Sequence, residues 1–242
     1  MSNFDIVIPV GPNDMDIIHS QLEYTKKNII GYRNIYLIAY DKTLQIEGCE
    51  TISEDIFPFS KKTVAQFHGK SERNGWYLQQ LLKLYAGKVI PNILDTYLVI
   101  DSDAFFLKPT TFIENGKCLY CVGAEYHIPY FTHMQKLHKS FKRIHVQFSG
   151  ICHHMIFQTK YISELFKLVE NEHSGTEFYE IFLKCVSDKE GSGASEYEIY
   201  FNYMLQYHPT EIKVRILSWK HEYEIPQNSE HIFVSVPYYA RK

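Results

Sequence analysis

The chain has 242 residues, of which 45% are hydrophobic and 22% charged, and its formal charge is −3. This composition excludes a mainly disordered chain, and the slight negative charge gives no electrostatic reason to bind nucleic acid. The N-terminus has no basic region followed by an apolar one, and no apolar run approaches the ~20 residues that cross a bilayer. We therefore expect a soluble, cytoplasmic protein.

Apolar runs bounded by turn residues predict buried strands, and apolar residues at helical spacing predict amphipathic helices. The predicted order begins with strand 4–11, helix 13–28, strand 33–41, an irregular stretch 42–72, helix 75–87 ended by Gly87, and strand 97–101. It continues with strand 117–125, a polar aromatic loop 126–147, strand 148–157, helices 159–172 and 176–188, a glycine-rich loop 189–195, helix 195–208, and strands 211–219 and 231–239. This alternation predicts an α/β fold with a mostly parallel sheet flanked by helices on both faces. Because no linker or internal repeat interrupts it, we predict a single domain over 1–242.

The five cysteines are an odd number, which favours free thiols in a reducing compartment. Cys118 and Cys121 form a CxxC motif, so a zinc site must be considered. Their spacing on a predicted strand directs the two sulfurs to opposite faces, which disfavours shared coordination.

Two carboxylates, Asp101 and Asp103, lie inside the most apolar segment, TYLVIDSDAFFLKP. Residues i and i+2 of an extended chain point the same way, so both side chains can converge at the C-terminal end of the strand. Two oxygen ligands at one point suit Mg²⁺ or Mn²⁺. A turn or helix cap is the alternative, but two charges without a cation between apolar segments are costly, which favours the metal site.

The strand DIVIPVG and the later hydrophobic DxD segment resemble the GT-A glycosyltransferases. Four segments, RNGWYLQQLLKLYAG, VIDSDAFFLKP, SGICHHMIF and ASEYEIYFNYML, are together similar to a family of small DxD-type glycosyltransferases known from bacteria and large DNA viruses. The resemblance runs from about residue 4 to 235. It implies a GT-A, Rossmann-like fold, a UDP-sugar donor, and transfer to a hydroxyl of a glycan, protein or small-molecule acceptor.

By this resemblance, Asp103 is the direct metal ligand and Asp101 contacts the ribose or the water shell of the metal. The end of the first strand, residues Pro9, Val10 and Gly11, is placed beside the uridine, although Gly11 can also serve as a simple turn. Asp41 could meet the base or ribose, or act as a turn aspartate.

Three further residues are candidates from the same resemblance. Arg73 could pair with diphosphate or sugar oxygens, or be a solvated arginine. His221 is the expected further metal ligand, with His208 as second choice. Because adjacent strand residues point opposite ways, one of His153 and His154 is expected to face the acceptor cleft. The analogy with the glycine-containing acceptor strand of GT-A enzymes favours His154.

An inverting transfer needs a carboxylate that deprotonates the acceptor hydroxyl. Glu196 at a predicted helix start is the candidate, with Glu198 as the fallback; a glutamate favoured by the helix dipole is the alternative. A retaining transfer would need no base of this type.

Two rival functions are compatible with the sequence. A catalytically inactive nucleotide-sugar-binding protein would keep both aspartates. A haloacid-dehalogenase-like phosphatase also carries a hydrophobic DxD motif, but that motif normally lies near the N-terminus and continues differently from DSDAF.

Overall fold

A computed structural model describes residues 4–241. Seven α-helices lie in this part of the chain: α1 (Ile18–Asn28), α2 (Lys61–His68), α3 (Asn74–Val89), α4 (Ile128–Leu137), α5 (Thr159–Glu172), α6 (Phe178–Cys185) and α7 (Glu196–Tyr207). The strands are β1 (Phe4–Val10), β2 (Ile29–Ile30), β3 (Tyr32–Ala39), β4 (Glu50–Ser53), β5 (Thr96–Ile100), β6 (Ala104–Phe106), β7 (Thr110–Thr111), β8 (Ile113–Glu114), β9 (Lys117–Cys121), β10 (His154–Gln158), β11 (Ile212–Arg215), β12 (Trp219–His221) and β13 (Phe233–Ser235).

The main sheet has five strands in the order β10-β5-β1-β3-β4. β1 lies parallel to both β3 and β5, and only β10 at one edge is antiparallel. All seven residues of β1 are buried, as expected of a strand with parallel neighbours on both sides. The mixed α/β class with a mostly parallel central sheet is therefore confirmed.

Three smaller sheets surround the main one, in the orders β11-β9-β8, β12-β13-β6 and β2-β7. Strand β6 follows the DxD segment directly and pairs with β13, which in turn pairs with β12. The short sheet thus joins the chain just after Asp103 to the C-terminal region. Within residues 4–241, no helix has both the length and the apolarity to span a bilayer.

The predicted strand 211–219 is two strands, β11 and β12, which belong to different sheets, and two stretches predicted to lack regular structure contain it. The irregular stretch 42–72 contains β4 and α2, and the predicted loop 126–147 contains α4. Helices α2 and α4 were not predicted because each is short and buries only a few side chains. Some of those side chains are histidines, so the apolar periodicity that indicates a helix is weak.

Gly87 does not end α3, which continues to Val89. A β-carbon at Gly87 would lie 2.3 Å from Thr159 Oγ1 and 2.5 Å from the ring of Tyr97. The absence of a side chain therefore allows the helix to pack closely against β5 and the start of α5.

Candidate functional site

The two aspartates lie where β5 ends at the carboxyl edge of the main sheet. Residues 101–103 form a turn, because the Ala104 N–H donates a hydrogen bond of 2.9 Å to the Asp101 carbonyl. The side chains therefore converge through a turn and not through the extended chain that the sequence suggested. One ligand atom each from Asp101, Asp103 and His153 lies within 4.8 Å of the others, and residues 4–241 contain no second cluster of this kind.

His153 reaches the pair because β10 runs antiparallel to β5. The Asp101 N–H donates to the His153 carbonyl at 2.9 Å, and His153 Nδ1 lies 3.3 Å from Asp101 Oδ2. His153 has a φ of +57°, a left-handed conformation that costs a non-glycine residue about 1 kcal/mol or more. This strained backbone position directs the imidazole toward the carboxylates.

The structure does not place His154 at the expected acceptor cleft. Its side chain is 1% exposed and packs against the rings of Phe106, Phe112 and Phe233, with centroid separations of 4.9 to 5.4 Å. The left-handed turn at His153 puts that residue on the site side and sends the first residue of β10 into the core.

His221, the expected further metal ligand, lies beside this cluster. Its ring centroid is 5.2 Å from that of His153, and both rings contact Trp219. The strand register explains the position, since His221 pairs with Ser235, which pairs with Ala104. Partial desolvation and the neighbouring His153 lower the pKa of His221, although its side chain is exposed, which favours the neutral imidazole that metals bind. Its role as a ligand stays a prediction.

Glu196, the expected general base, lies beneath the site. It is 4% exposed, and its Oε1 is 2.7 Å from Lys83 Nζ, which is itself 2.6 Å from Asp101 Oδ1. The Tyr197 hydroxyl donates to the same Asp101 oxygen at 2.7 Å. A carboxylate enclosed in this way is not open to an acceptor hydroxyl, so the structure does not place Glu196 where a general base would act.

Lys83 and Tyr197 contact Asp101 in the candidate site but were not predicted from the sequence. Lys83 is 3% exposed and lies among the apolar residues of α3. A lysine at a buried helix position is the available signal, because such a side chain is rarely buried unless it is paired. Nothing in the sequence indicates which acids it pairs with.

Opposing charges set the protonation of this network. Burial would raise the pKa of Asp101, but the Lys83 ammonium and His153 hold it well below its usual range. Burial would likewise lower the pKa of Lys83, but Asp101 and Glu196 together hold it above its usual range. Asp101 and Lys83 are therefore both charged at neutral pH.

Asp103 has a different environment. Burial raises its pKa to about 6, against the attraction of His153 and with added repulsion from Asp101. Its Oδ1 atom is buried and has no hydrogen-bond partner within residues 4–241, and the same is true of His153 Nε2. Unpaired buried polar atoms are uncommon and call for an explanation, which a bound cation would supply.

Pro9 and Val10 end β1, and Gly11 follows it; because β1 runs parallel to β5, these residues lie at the same sheet edge as Asp101. Gly11 has an ordinary extended backbone, and its N–H donates to Asp14 Oδ2 at 3.3 Å. Asp14 was also missed, although its charge contributes to the raised pKa of Asp103.

The remaining candidates have partners of their own. Asp41 Oδ1 accepts from the Thr43 hydroxyl at 2.7 Å in an exposed turn. The Arg73 guanidinium donates to the Gly191 carbonyl and to Ser192 Oγ, in the glycine-rich loop. The alternative candidates are also engaged, His208 with Glu164 at 2.9 Å and Glu198 with Ser149 at 2.5 Å.

No curated protein shows significant sequence similarity to the chain. Among solved structures, the apo form of mouse xyloside xylosyltransferase 1 matches with a TM-score of 0.46 and 11% identity, covering 96% of this chain and 97% of the other. An active-site mutant of LgtC matches with a TM-score of 0.52 and 9% identity, covering 96% and 86%. The likeness to LgtC confirms the GT-A fold class that the sequence predicted, and at this identity it concerns the fold alone.

A protein-family model also matches the chain, over residues 20–233. The matched region contains Lys83, the two aspartates, His153 and Glu196. Because it covers most of the sequence, the chain belongs to DUF6492, a family of unknown function.

Proposed function

We propose that this protein is a metal-dependent glycosyltransferase that moves a sugar from a UDP-sugar to a hydroxyl acceptor. One observation carries the proposal: two carboxylates and an imidazole converge at the carboxyl edge of a GT-A-class sheet, and one carboxylate oxygen has no partner within residues 4–241. Ligands of open α/β sheets bind at this edge.

The residues fit a divalent cation. Asp103 offers its unpaired Oδ1, Asp101 offers Oδ2, and His153 offers an imidazole nitrogen. Carboxylates and imidazole suit Mn²⁺, and the carboxylates alone suit Mg²⁺. When bound, the cation would neutralise negative charge on the diphosphate of the leaving UDP. His221 is the nearest further imidazole, and we propose it as an additional ligand.

We propose the end of β1, residues Pro9 to Gly11, as part of the uridine site. Its position beside β5 supports this, since both strands end at the same edge. The roles of Asp41 and Arg73 toward the donor stay predictions. With Glu196 enclosed, the proposal assigns no general base among residues 4–241.

Calorimetric titration of UDP and UDP-sugars, with and without Mn²⁺, tests the proposal. Wild-type protein should bind UDP in the presence of Mn²⁺, and Asp103→Asn should lose that metal-dependent binding. Asp55→Asn is the matched control, because Asp55 is an exposed aspartate in the 3-10 turn after β4. Absence of Mn²⁺-dependent UDP binding by the wild type would refute the proposal.

A second measurement separates an enzyme from a binding protein. Hydrolysis of the UDP-sugar that binds, followed by UDP release, should be detectable with the wild type and absent with Asp103→Asn. Binding without any release, across a panel of UDP-sugars and acceptors, would favour the catalytically inactive alternative.

A further inference from the structure

A buried ion network lies beneath the candidate metal site. The Lys83 ammonium contacts Asp101 Oδ1 at 2.6 Å and Glu196 Oε1 at 2.7 Å, and lies 4.6 Å from the ring centre of Tyr197. Lys83, Glu196 and Tyr197 are each 3 or 4% exposed. These groups are buried, and they reach the candidate metal site through Asp101, which Lys83 and Tyr197 contact directly.

Glu196 is held firmly in this network. It is the first residue of α7, where Ser195 caps the helix by accepting from the Glu198 N–H. The Glu196 N–H donates to Gln80 Oε1 at 3.1 Å. Burial raises the pKa of Glu196, and the Lys83 ammonium opposes that effect. The positive end of the helix and the ammonium both favour the ionised carboxylate.

The sharing of one ammonium between two carboxylates has an electrostatic consequence. If Lys83 were paired with Asp101 alone, its ammonium would neutralise the Asp101 carboxylate and weaken the attraction of that carboxylate for a cation. With Glu196 ionised and the His153 imidazole neutral, as metal binding requires, the three carboxylates Asp101, Asp103 and Glu196 and the single ammonium leave a formal charge of −2. The site therefore keeps a net attraction for a divalent cation while Asp101 stays fixed.

We propose that Lys83 and Glu196 are positioning residues for the cation site. Lys83, together with Tyr197, occupies Asp101 Oδ1 and so leaves Oδ2 directed at the cluster with Asp103 and His153. Glu196 balances the charge of Lys83. This role replaces the general-base role expected from the sequence, and it rests on the proposed function because the cation is part of that proposal.

Calorimetric titration with Mn²⁺ alone, without nucleotide, tests this inference. Glu196→Gln should bind Mn²⁺ about tenfold more weakly than wild type, because the ammonium is then balanced by Asp101 alone. The matched control is Glu198→Gln, which changes an equally buried glutamate of the same helix turn that bonds Ser149 and Asn202 instead of Lys83. Its Mn²⁺ affinity should stay within about twofold of wild type.

The double variant Lys83→Met/Glu196→Gln removes one charge of each sign and restores the formal charge of −2. Its Mn²⁺ affinity should exceed that of Glu196→Gln but stay about threefold below wild type, because the charge is restored while Asp101 has lost the ammonium that positions it. A role in packing alone predicts further loss. Should this variant not fold, Tyr197→Phe decides, because it removes a contact to Asp101 without changing charge and should weaken Mn²⁺ binding less than Glu196→Gln does.

The outcomes separate this inference from the proposed function. A wild type that binds no Mn²⁺ refutes both. A wild type that binds Mn²⁺, together with an unchanged affinity in Glu196→Gln, overturns the positioning role and leaves the proposed function standing. A double variant weaker than Glu196→Gln, or a loss in Tyr197→Phe that equals the loss in Glu196→Gln, also overturns it.

Discussion

Replacing Asp103 with Asn should stabilise the metal-free protein at neutral pH while removing its response to Mn²⁺. Burial raises the pKa of Asp103 from 3.8 to about 6. Folding at neutral pH must therefore either bury the ionised carboxylate or protonate it, and both cost free energy of folding. Asparagine has the same shape and carries no charge, and it removes that cost.

The magnitude follows from the linkage between protonation and folding. A group whose folded pKa is raised stabilises the fold below its unfolded pKa, and this contribution is lost as the pH rises through the folded pKa. Between 3.8 and about 6, the loss reaches at most ~3 kcal/mol at pH 7. Because the side chain is partly open to water, we expect ~1–2 kcal/mol, or several degrees in Tm for a chain of this size.

Thermal unfolding in the presence of a chelator measures this effect. The stability gain of Asp103→Asn over wild type should roughly halve between pH 7 and pH 5, because the wild-type carboxyl is then mostly protonated in the folded state. Adding Mn²⁺ at pH 7 should raise the Tm of the wild type and leave that of the variant unchanged. A variant that is less stable than the metal-free wild type at pH 7 would refute the reasoning.

Three other changes test separate parts of the site, and a fourth tests the packing behind it. Mn²⁺ affinity should fall about tenfold from pH 7 to pH 5, since protons compete for Asp103 with its pKa of about 6, and a flat calorimetric profile would contradict that value. His153→Gly should lower Mn²⁺ affinity at least tenfold without loss of stability, because glycine tolerates the φ of +57°. His154→Ala should do the reverse, losing ~2–4 kcal/mol by denaturant unfolding while Mn²⁺ binding persists, because it opens a cavity among phenylalanines. Gly150→Ala should destabilise by ~1–3 kcal/mol in the same assay, since its β-carbon would lie 2.6 Å from Phe201 Cβ and 2.7 Å from the Tyr197 carbonyl; an unchanged unfolding midpoint would count against this close packing.

The sequence sufficed where the signal is local. The buried strand β1 and the amphipathic helix α5 follow from the spacing of apolar residues within a few turns, and α5 begins and ends at the predicted residues. The pair of carboxylates at the end of β5 was visible for the same reason, since an acid inside an apolar run stands out without knowledge of its neighbours.

Other parts of the site depended on a single backbone angle or on distant contacts. Which of two adjacent histidines faces the carboxylates is decided by the left-handed φ of His153, which strand periodicity does not reveal. The pairing of Lys83 with Glu196 joins residues 113 positions apart, so no local pattern encodes it.

By itself, the amino-acid order determined the class of fold and the acidic pair, because burial patterns and charges within one element are set by neighbouring residues. Only the tertiary structure decided that Glu196 is enclosed and that Asp101 is paired with Lys83. The pKa of a carboxyl group and its access to ligands depend on groups that the fold brings together. The function of a carboxylate follows from what surrounds it in space, and the groups around Asp101 come from three other segments of this chain.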